Sequence, residues 1–497
     1  MIAVQDIHGW TLDRLLDGLT DAPNVAISDI TLDSRAVTQG AVFIAVAGLH
    51  THGIAFAPQA LQRGAVAVVT DLEVGDERLR SVAARVPVIS LPATHDIAST
   101  LAVRFFGHPS AALDTIAVTG TNGKTSIGWL LANALRIAGQ PAALSGTLGY
   151  GRPDALMQQS LTTPDAVTLQ RQARDFCNDG CQAMVFEASS HALHQGRLAD
   201  LDVDIAVFSN LTRDHLDYHE DMDAYFAAKA TLFEGERHAR IIGCDDAYGL
   251  RLWERYAATA WRVSVHAGHA DAQRFVVVKS VRKSADGLQV SCNTHQGEAH
   301  IQSALVGDFN VQNLALALAA LMAAGVSVSA AADALSRVVA PPGRMQRVGG
   351  AGPQVFVDFA HTPSALTAAL AALREHCHGE LWCVFGCGGD RDRGKRPLMA
   401  KAALAADHVI VTSDNPRYEA PRAIIEDVIA ATRDRVAVEV DRAAAIRSAI
   451  ASAAAHDVVL IAGKGHEKVQ HVAGEALPFD DVEAAMQALA ARDGAAC

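Results

Sequence analysis

Short apolar runs alternate with helix-patterned stretches along most of this chain. Thr115-Ile-Ala-Val118, Ala183-Met-Val-Phe186, Ile205-Ala-Val-Phe208 and Arg240-Ile-Ile-Gly243 read as strands, with helical patterns between most of them. A parallel strand covered on both faces is a continuous apolar run rather than an alternating one, and strands separated by helices predict a parallel sheet. The pattern repeats later, at Val355-Phe-Val-Asp358, Leu381–Phe385, His408–Thr412, Val436–Val440 and Val458–Ile461, each followed by a helical stretch. That order predicts an open, Rossmann-like doubly wound sheet, with functional residues just beyond the strands' C-terminal ends. Phe275-Val-Val-Val278 and Leu288–Cys292 break the rhythm and predict a small antiparallel excursion. Near the start, Ala41–Val46 and Ala65–Val69 flank a helical stretch, Ala55–Arg63. Turn signals at His108-Pro109-Ser110 and Pro341-Pro342-Gly343 divide the chain into three α/β domains, 1–112, 113–340 and 341–497.

Composition fits that division. A chain of 497 residues is long enough for about three domains. Half the residues are hydrophobic and a fifth charged, as in an ordinary globular protein. A formal charge of −13 argues against a nucleic-acid partner, though not against a local site for an anionic nucleotide. The eight cysteines make no Cys-x-x-Cys pair, so buried thiols in a reducing compartment are expected. The first ten residues lack a basic and apolar leader pattern, and the longest apolar stretch, near Leu314–Val326, is shorter than the roughly 20 residues a span needs. A cytoplasmic protein with no membrane span is expected.

The chemistry concentrates at 119–126, Thr-Gly-Thr-Asn-Gly-Lys-Thr-Ser, between the strand ending at Val118 and a helical run, Ile127–Arg136. Strand, glycine loop, Lys-Thr and helix is the arrangement that cradles a nucleoside triphosphate. Gly120 and Gly123 let backbone N–H groups close on phosphate oxygens, and the helix N-terminus adds partial positive charge. Lys124 would reach the β/γ-phosphates and the Thr125 hydroxyl would ligate Mg²⁺. The usual glycine five residues before Gly123 is Val118 here, so the loop is a short variant. The alternative is a glycine turn before an ordinary helix.

Other polar groups cluster at strand ends. Glu187 ends a strand and is placed as a Mg²⁺ partner. His215 and His219 have the i, i+4 spacing of a zinc pair without a Glu-x-x-His partner, which favours Mg²⁺-shell or structural roles. Lys229 lies in an apolar helical context; such a lysine either snorkels outward or, if desolvated, reacts as a neutral amine. Asp358–Pro363, Gly386–Arg396, Asp414-Asn-Pro-Arg417 and Gly463-Lys-Gly-His-Glu467 each follow a strand.

Together, Gly-Thr-Asn-Gly-Lys-Thr (120–125), Glu-Ala-Ser-Ser-His (187–191), Asn-Leu-Thr-Arg-Asp-His-Leu-Asp (210–217), Pro-Gly-Arg-Met (342–345) and Asp-Phe-Ala-His-Thr-Pro (358–363) resemble the Mur ligases, in order and spacing, over essentially the whole chain. These enzymes build the peptidoglycan stem peptide one ATP-driven amide bond at a time. Leu32-Asp-Ser-Arg35 and Thr162-Thr163 resemble the member that extends UDP-N-acetylmuramoyl-L-alanyl-D-glutamate, and Asp414-Asn-Pro-Arg417 resembles the version selecting meso-diaminopimelate over L-lysine.

The resemblance implies a UDP-sugar-binding first domain, a central phosphate-loop ATPase domain and an amino-acid-binding third domain. Leu32, Ser34, Leu49, His50 and Thr51 would hold the UDP-sugar, and Thr162, Thr163, Ser189, Gln195 and Arg197 the muramoyl-dipeptide. Gly120, Thr121, Asn122, Gly123, Lys124, Thr125, Ser126, Asn310, Asn313, Arg344 and Asp358 would surround ATP. Thr125, Glu187, His215 and Lys229, the last as a CO₂ adduct, would hold Mg²⁺. Arg391, Asp414, Asn415, Pro416, Arg417, Gly463 and Glu467 would form the diaminopimelate pocket. Lys124, Glu187, His215 and Lys229 are the expected catalytic set, and the partners are small molecules acting on a monomer. Rival readings are a lysine-adding member, another ligase of the superfamily such as folylpolyglutamate synthetase, or a nucleotide-dependent binder without catalysis.

Overall fold

In the computed structural model, residues 9–48, 51–91, 94–216, 218–266, 272–284, 286–350 and 352–495 are described. They belong to two compact units. The first comprises Met1–Ser264, Gly268–Val276 and Leu316–Ala331; the second comprises Val265–Ala267, Val277–Ala315 and Ala332–Cys497.

The first unit carries two sheets. The smaller pairs β1 (Asp29–Thr31), β2 (Ala41–Ala45), β3 (Ala67–Thr70) and β4 (Val88–Ser90) in chain order, all parallel. The helical expectation between β2 and β3 holds as a 3₁₀ turn, Gly53–Phe56, leading into a helix, Ala57–Gln62. The larger sheet contains β5 (Asp114–Thr119), β6 (Ala142–Gly146), β7 (Gly149–Gly151), β8 (Ala183–Glu187), β9 (Ile205–Phe208), β10 (Ala239–Gly243) and β11 (Trp261–Ser264). Within this unit their order is β11-β10-β9-β5-β8-β6-β7, parallel except for the short β7. Strands β8 and β9 are buried at every position, as their unbroken apolar runs require. The two sheets are joined through the helices Thr94–Phe106 and Ala166–Asn178 and by side chains: Arg171 Nη2 donates to Asp29 Oδ1 at 2.8 Å, and Thr100 Oγ1 donates to Asp200 Oδ2 at 2.7 Å.

The second unit opens with the antiparallel excursion. β12 (Phe275–Ser284, of which Val277 onward lies in this unit), β13 (Gly287–Thr294) and β14 (Gly297–Ser303) are consecutive neighbours, longer than their apolar runs suggest. The main sheet follows: β15 (Gln346–Val348), β16 (Gln354–Asp358), β17 (Leu381–Phe385), β18 (His408–Val411), β19 (Ala437–Val438) and β20 (Val458–Ala462). Its order is β15-β16-β20-β17-β18-β19, parallel except at β15. The expected strand Val436–Val440 shrinks to the two exposed residues of β19, because an edge strand has pairing on one side only. A final antiparallel hairpin, β21 (Val469–Val472) with β22 (Glu475–Pro478), stands apart from the sheet. Among the described residues no helix is long and apolar enough to cross a membrane.

Candidate active site

In the first unit, β5 ends at Thr119 and the chain turns through Gly120 at φ +144°, where a Cβ would collide with Ser209 Oγ. Only glycine brings the loop this close to β9. The loop is then pinned from that side. Thr121 N donates to Asn210 O at 2.9 Å, Asn122 N to Asn210 Oδ1 at 3.0 Å, and Ser209 Oγ to Asn122 O at 2.5 Å. Gly123 precedes the helix Lys124–Ile137, whose first N–H groups face the loop. Lys124 Nζ folds back onto Gly120 O and Thr121 O at 2.9 and 3.0 Å.

Glu187, fully buried at the end of the adjacent β8, completes this end of the sheet. Its Oε2 accepts from Thr125 Oγ1 at 3.0 Å and Thr147 Oγ1 at 3.1 Å; its Oε1 accepts from Thr147 N at 2.7 Å. A threonine hydroxyl and a carboxylate converging at one point are hard oxygen donors. That donor set suits Mg²⁺, which takes few protein ligands and keeps water or phosphate in the remaining positions.

Lys229 lies on the helix Met222–Ala230 and does not snorkel. It is 1% exposed; Nζ donates to Gly120 O at 2.9 Å and stands 4.7 Å from the centre of the Tyr225 ring. Burial, reinforced by the nearby Lys124 charge, holds its amine well below the usual lysine range, against a weaker pull from Asp214. Burial also pushes the Tyr225 phenol up to about 12. His215 is exposed, in a left-handed backbone conformation (φ +53°), with its ring edge-on to Tyr225. His219 instead turns inward to Ser190 Oγ at 3.0 Å. Burial first, then neighbouring histidines, lowers it to about 4. The two histidine side chains thus have different surroundings, one exposed and one buried against Ser190.

Beside Glu187 runs a chain of the residues expected to grip a dipeptide. Thr162 Oγ1 meets Thr147 Oγ1 at 3.1 Å. Thr163 Oγ1 donates to Glu187 O at 2.7 Å, and Ser189 N donates to Thr163 Oγ1 at 3.0 Å. Arg197 Nη1 donates to Thr163 O at 2.8 Å and its Nε to Gln195 Oε1 at 3.0 Å. On the smaller sheet, Leu32 is half-buried, Ser34 Oγ donates to Gln59 Oε1 at 2.7 Å, and Thr51 is exposed; Leu49 and His50 lie outside the described residues.

In the second unit, Asn310 and Asn313 are buried at the start of the helix Asp308–Ala323, joined by an Asn313 Nδ2 to Asn310 Oδ1 bond of 2.9 Å. Asp358, ending β16, accepts from Met345 N at 2.7 Å and Ala360 N at 2.9 Å. Burial outweighs these bonds and raises its carboxyl. Arg344 stacks over the Phe359 ring at 4.7 Å.

The expected diaminopimelate residues gather beyond β17, β18 and β20. Gly463 (φ +118°) passes so close to Asp414 that a Cβ would lie 2.6 Å from Oδ2. Arg417, at φ +52°, is held by the last hairpin: its N donates to His471 O at 2.9 Å and its O accepts from Ala473 N at 2.6 Å. Its Nη1 donates to Gly389 O at 2.7 Å. A Cβ on Gly388 would lie 2.9 Å from Arg417 Nη1 and 3.8 Å from the exposed Arg391, so both arginines flank one turn. Asn415 Nδ2 donates to Glu467 Oε2 at 2.7 Å.

Four contributors escape the sequence reading. Thr147 sits in no motif, and Tyr225 stands in the sequence only as part of the apolar context of Lys229. Arg396 and Lys464 sit in motifs, but charged residues in polar loops read as solvated. Both are fully buried; Arg396 ties Glu419 at 2.6 Å to Asp427 at 2.8 Å and so fixes the loop carrying Arg391.

Comparison with known proteins gives three matching family models. One described as Mur ligase family, catalytic domain, matches residues 26–106; Mur ligase middle domain matches 118–321; and Mur ligase, glutamate ligase domain, matches 343–465. The UDP-N-acetylmuramoyl-L-alanyl-D-glutamate–2,6-diaminopimelate ligase of Coxiella burnetii is 42% identical, across 97% of this chain and 100% of its own. The protein of that name from Pseudomonas aeruginosa is 46% identical, across 94% and 96%. A solved structure of a ligase with the same name superposes with a TM-score of 0.70 at 36% identity, covering 97% of this chain and 99% of the other.

Proposed function

The chain belongs to the Mur ligase family, and on that premise we propose that it joins meso-2,6-diaminopimelate to the D-glutamate side-chain carboxylate of UDP-N-acetylmuramoyl-L-alanyl-D-glutamate, using ATP, in peptidoglycan precursor synthesis. The observation that carries the choice of substrate is the Asp414–Arg417 turn, with Arg417 and Arg391 flanking Gly388. A distal carboxylate on the incoming amino acid suits two guanidinium groups; an ammonium alone does not. A site built around such a charge rejects the analogue lacking it by about 10⁴–10⁵ in polar cases.

Carboxylate and amine do not condense in water without activation. The γ-phosphoryl group passes to a carboxylate oxygen, giving an acyl phosphate and ADP. The amine nitrogen then attacks the acyl carbon, the C–O bond to phosphate breaks, and phosphate leaves. The phosphate-loop N–H groups and Lys124 orient the triphosphate, so positioning and charge supply most of the rate. Thr125 and Glu187 would hold one Mg²⁺, and His215 with a carbamylated Lys229 a second; bound Mg²⁺ neutralises phosphate charge. Lys229 suits carbamylation because burial lowers its hold on the proton, and the deprotonated amine can attack CO₂, losing a proton and gaining a carboxylate. Asn310, Asn313, Arg344 and Asp358 serve the nucleotide, while Thr162, Thr163, Ser189, Gln195 and Arg197 grip the dipeptide. Use of ATP as co-substrate supports a cytoplasmic reaction.

Phosphate release from ATP with the UDP-dipeptide, offering meso-diaminopimelate and L-lysine in parallel, tests the reading. Turnover with diaminopimelate alone is expected. Turnover with lysine keeps the ligase and overturns the role of Arg417; turnover with neither overturns the reaction.

A further inference from the structure

Lys464 is fully buried, yet its Nζ is surrounded by three acceptors, one from the turn after β18 and two from its own stretch of chain running into the last hairpin. Nζ lies 3.1 Å from Asn415 Oδ1, on the turn after β18. It lies 3.2 Å from Glu467 Oε2, on its own loop after β20, and 2.6 Å from Val469 O, where the β21–β22 hairpin begins. Three donors thus meet three acceptors, which satisfies an ammonium.

The neighbours are arranged around it. Asn415 Oδ1 also accepts from His471 N at 3.0 Å, so both its lone pairs face donors. That fixes which way the amide points and directs Nδ2 at Glu467 Oε2, 2.7 Å away. Glu467 Oε2 is therefore held by both Asn415 and Lys464, while Oε1 accepts from none of the described residues and the side chain remains 34% exposed. One carboxylate oxygen is anchored and the other is presented. The hairpin held through Val469 is the same one that fixes the Arg417 backbone.

We propose that Lys464 is the positioning residue of the amino-acid pocket: by anchoring Asn415, one oxygen of Glu467 and the root of the hairpin, it sets the free Glu467 oxygen to receive an ammonium group of the incoming amino acid. The proposal rests on the reading of this pocket as the amine-substrate site. Lys464 touches no substrate; its cation orients the group that does. Removing it leaves Glu467 Oε2 held by Asn415 alone and takes away one of the two donors to Asn415 Oδ1 in a buried place.

The test is steady-state kinetics of the full-length enzyme with Lys464→Met, varying each of the three substrates in turn. The KM for diaminopimelate is expected to rise at least about tenfold, with the KM values for ATP and the UDP-dipeptide within about twofold of wild type. Because Lys464 acts through Glu467, Lys464→Met combined with Glu467→Gln should raise that KM no further than the worse single variant. An unchanged diaminopimelate KM, a parallel rise in all three KM values, or multiplicative effects in the double variant would overturn the proposal. If circular dichroism shows Lys464→Met unfolded, Lys464→Gln, which keeps a donor but no charge, carries the same prediction. Should the wild-type enzyme use a different amino acid, the substrate reading fails by itself, and the same KM split is measured with that amino acid.

Discussion

Lys229 in the first unit and Lys464 in the second are equally inaccessible, at 1% and 0% exposure, yet they are surrounded very differently. Lys229 has one neutral acceptor, Gly120 O, a tyrosine face and a second lysine nearby. Lys464 has an amide oxygen, a backbone carbonyl and a carboxylate. Burial costs a charged group its hydration in both places; of the two, Lys464 is the one bonded to a carboxylate. The first arrangement disfavours the charged form of the amine; the second meets Nζ with three acceptors that tie neighbouring segments together. Depth alone does not determine what a buried lysine does; the acceptors within about 3 Å do.

The comparison breaks most sharply at Lys229. If Lys229 carries the proposed carbamate, Lys229→Ala should lower kcat by on the order of 10³ or more, because the proposed Mg²⁺-holding carboxylate would vanish with its carrier. A small carboxylic acid in the assay should restore part of the loss; an intact rate in the unsupplemented variant would remove Lys229 from the chemistry. Next in size, Arg417→Ala should lower kcat/KM for diaminopimelate by about 10²–10³ and erase its preference over lysine. Unchanged kcat/KM with both amino acids would move the distal carboxylate elsewhere. Thr147→Val removes one of the hydroxyls bonded to Glu187 Oε2 while leaving Thr125, and a loss of about tenfold in kcat is expected. A loss as large as that of Lys229→Ala would make Thr147 a direct participant.

The smallest effect concerns pH. His219 is lowered to about 4 in the fold against 6.5 when free, so between those values the unfolded chain binds a proton that the folded one does not. Its contribution to stability is complete above pH 6.5 and falls away toward pH 4. Melting curves should show the His219→Gln variant losing less stability than wild type across that window. Parallel decline of the two would place the acid sensitivity in other groups.

Much of this was legible in the sequence for a physical reason. Parallel strands declare themselves as apolar runs, and Ile205–Phe208 and Leu381–Phe385 match the observed strands residue for residue. The phosphate loop was legible because its glycines and Lys-Thr sit at fixed offsets from a strand and a helix. Long β12 was less so, since its outer half, from Lys279, carries charged and exposed residues. Arg396 could not be seen as buried because its ion-pair partners, Glu419 and Asp427, lie 23 and 31 positions away, and Lys464 because its acceptor Asn415 lies 49 positions away. Thr147 was missed for a related reason: its partner, Glu187, lies 40 positions away.

The contrast between the two lysines is tested most directly by ¹³C NMR of the protein equilibrated with ¹³C-bicarbonate at neutral pH. A carbamate resonance is predicted in the wild type, lost in Lys229→Ala and retained in Lys464→Met. No carbamate signal, or one that survives Lys229→Ala, would contradict the account.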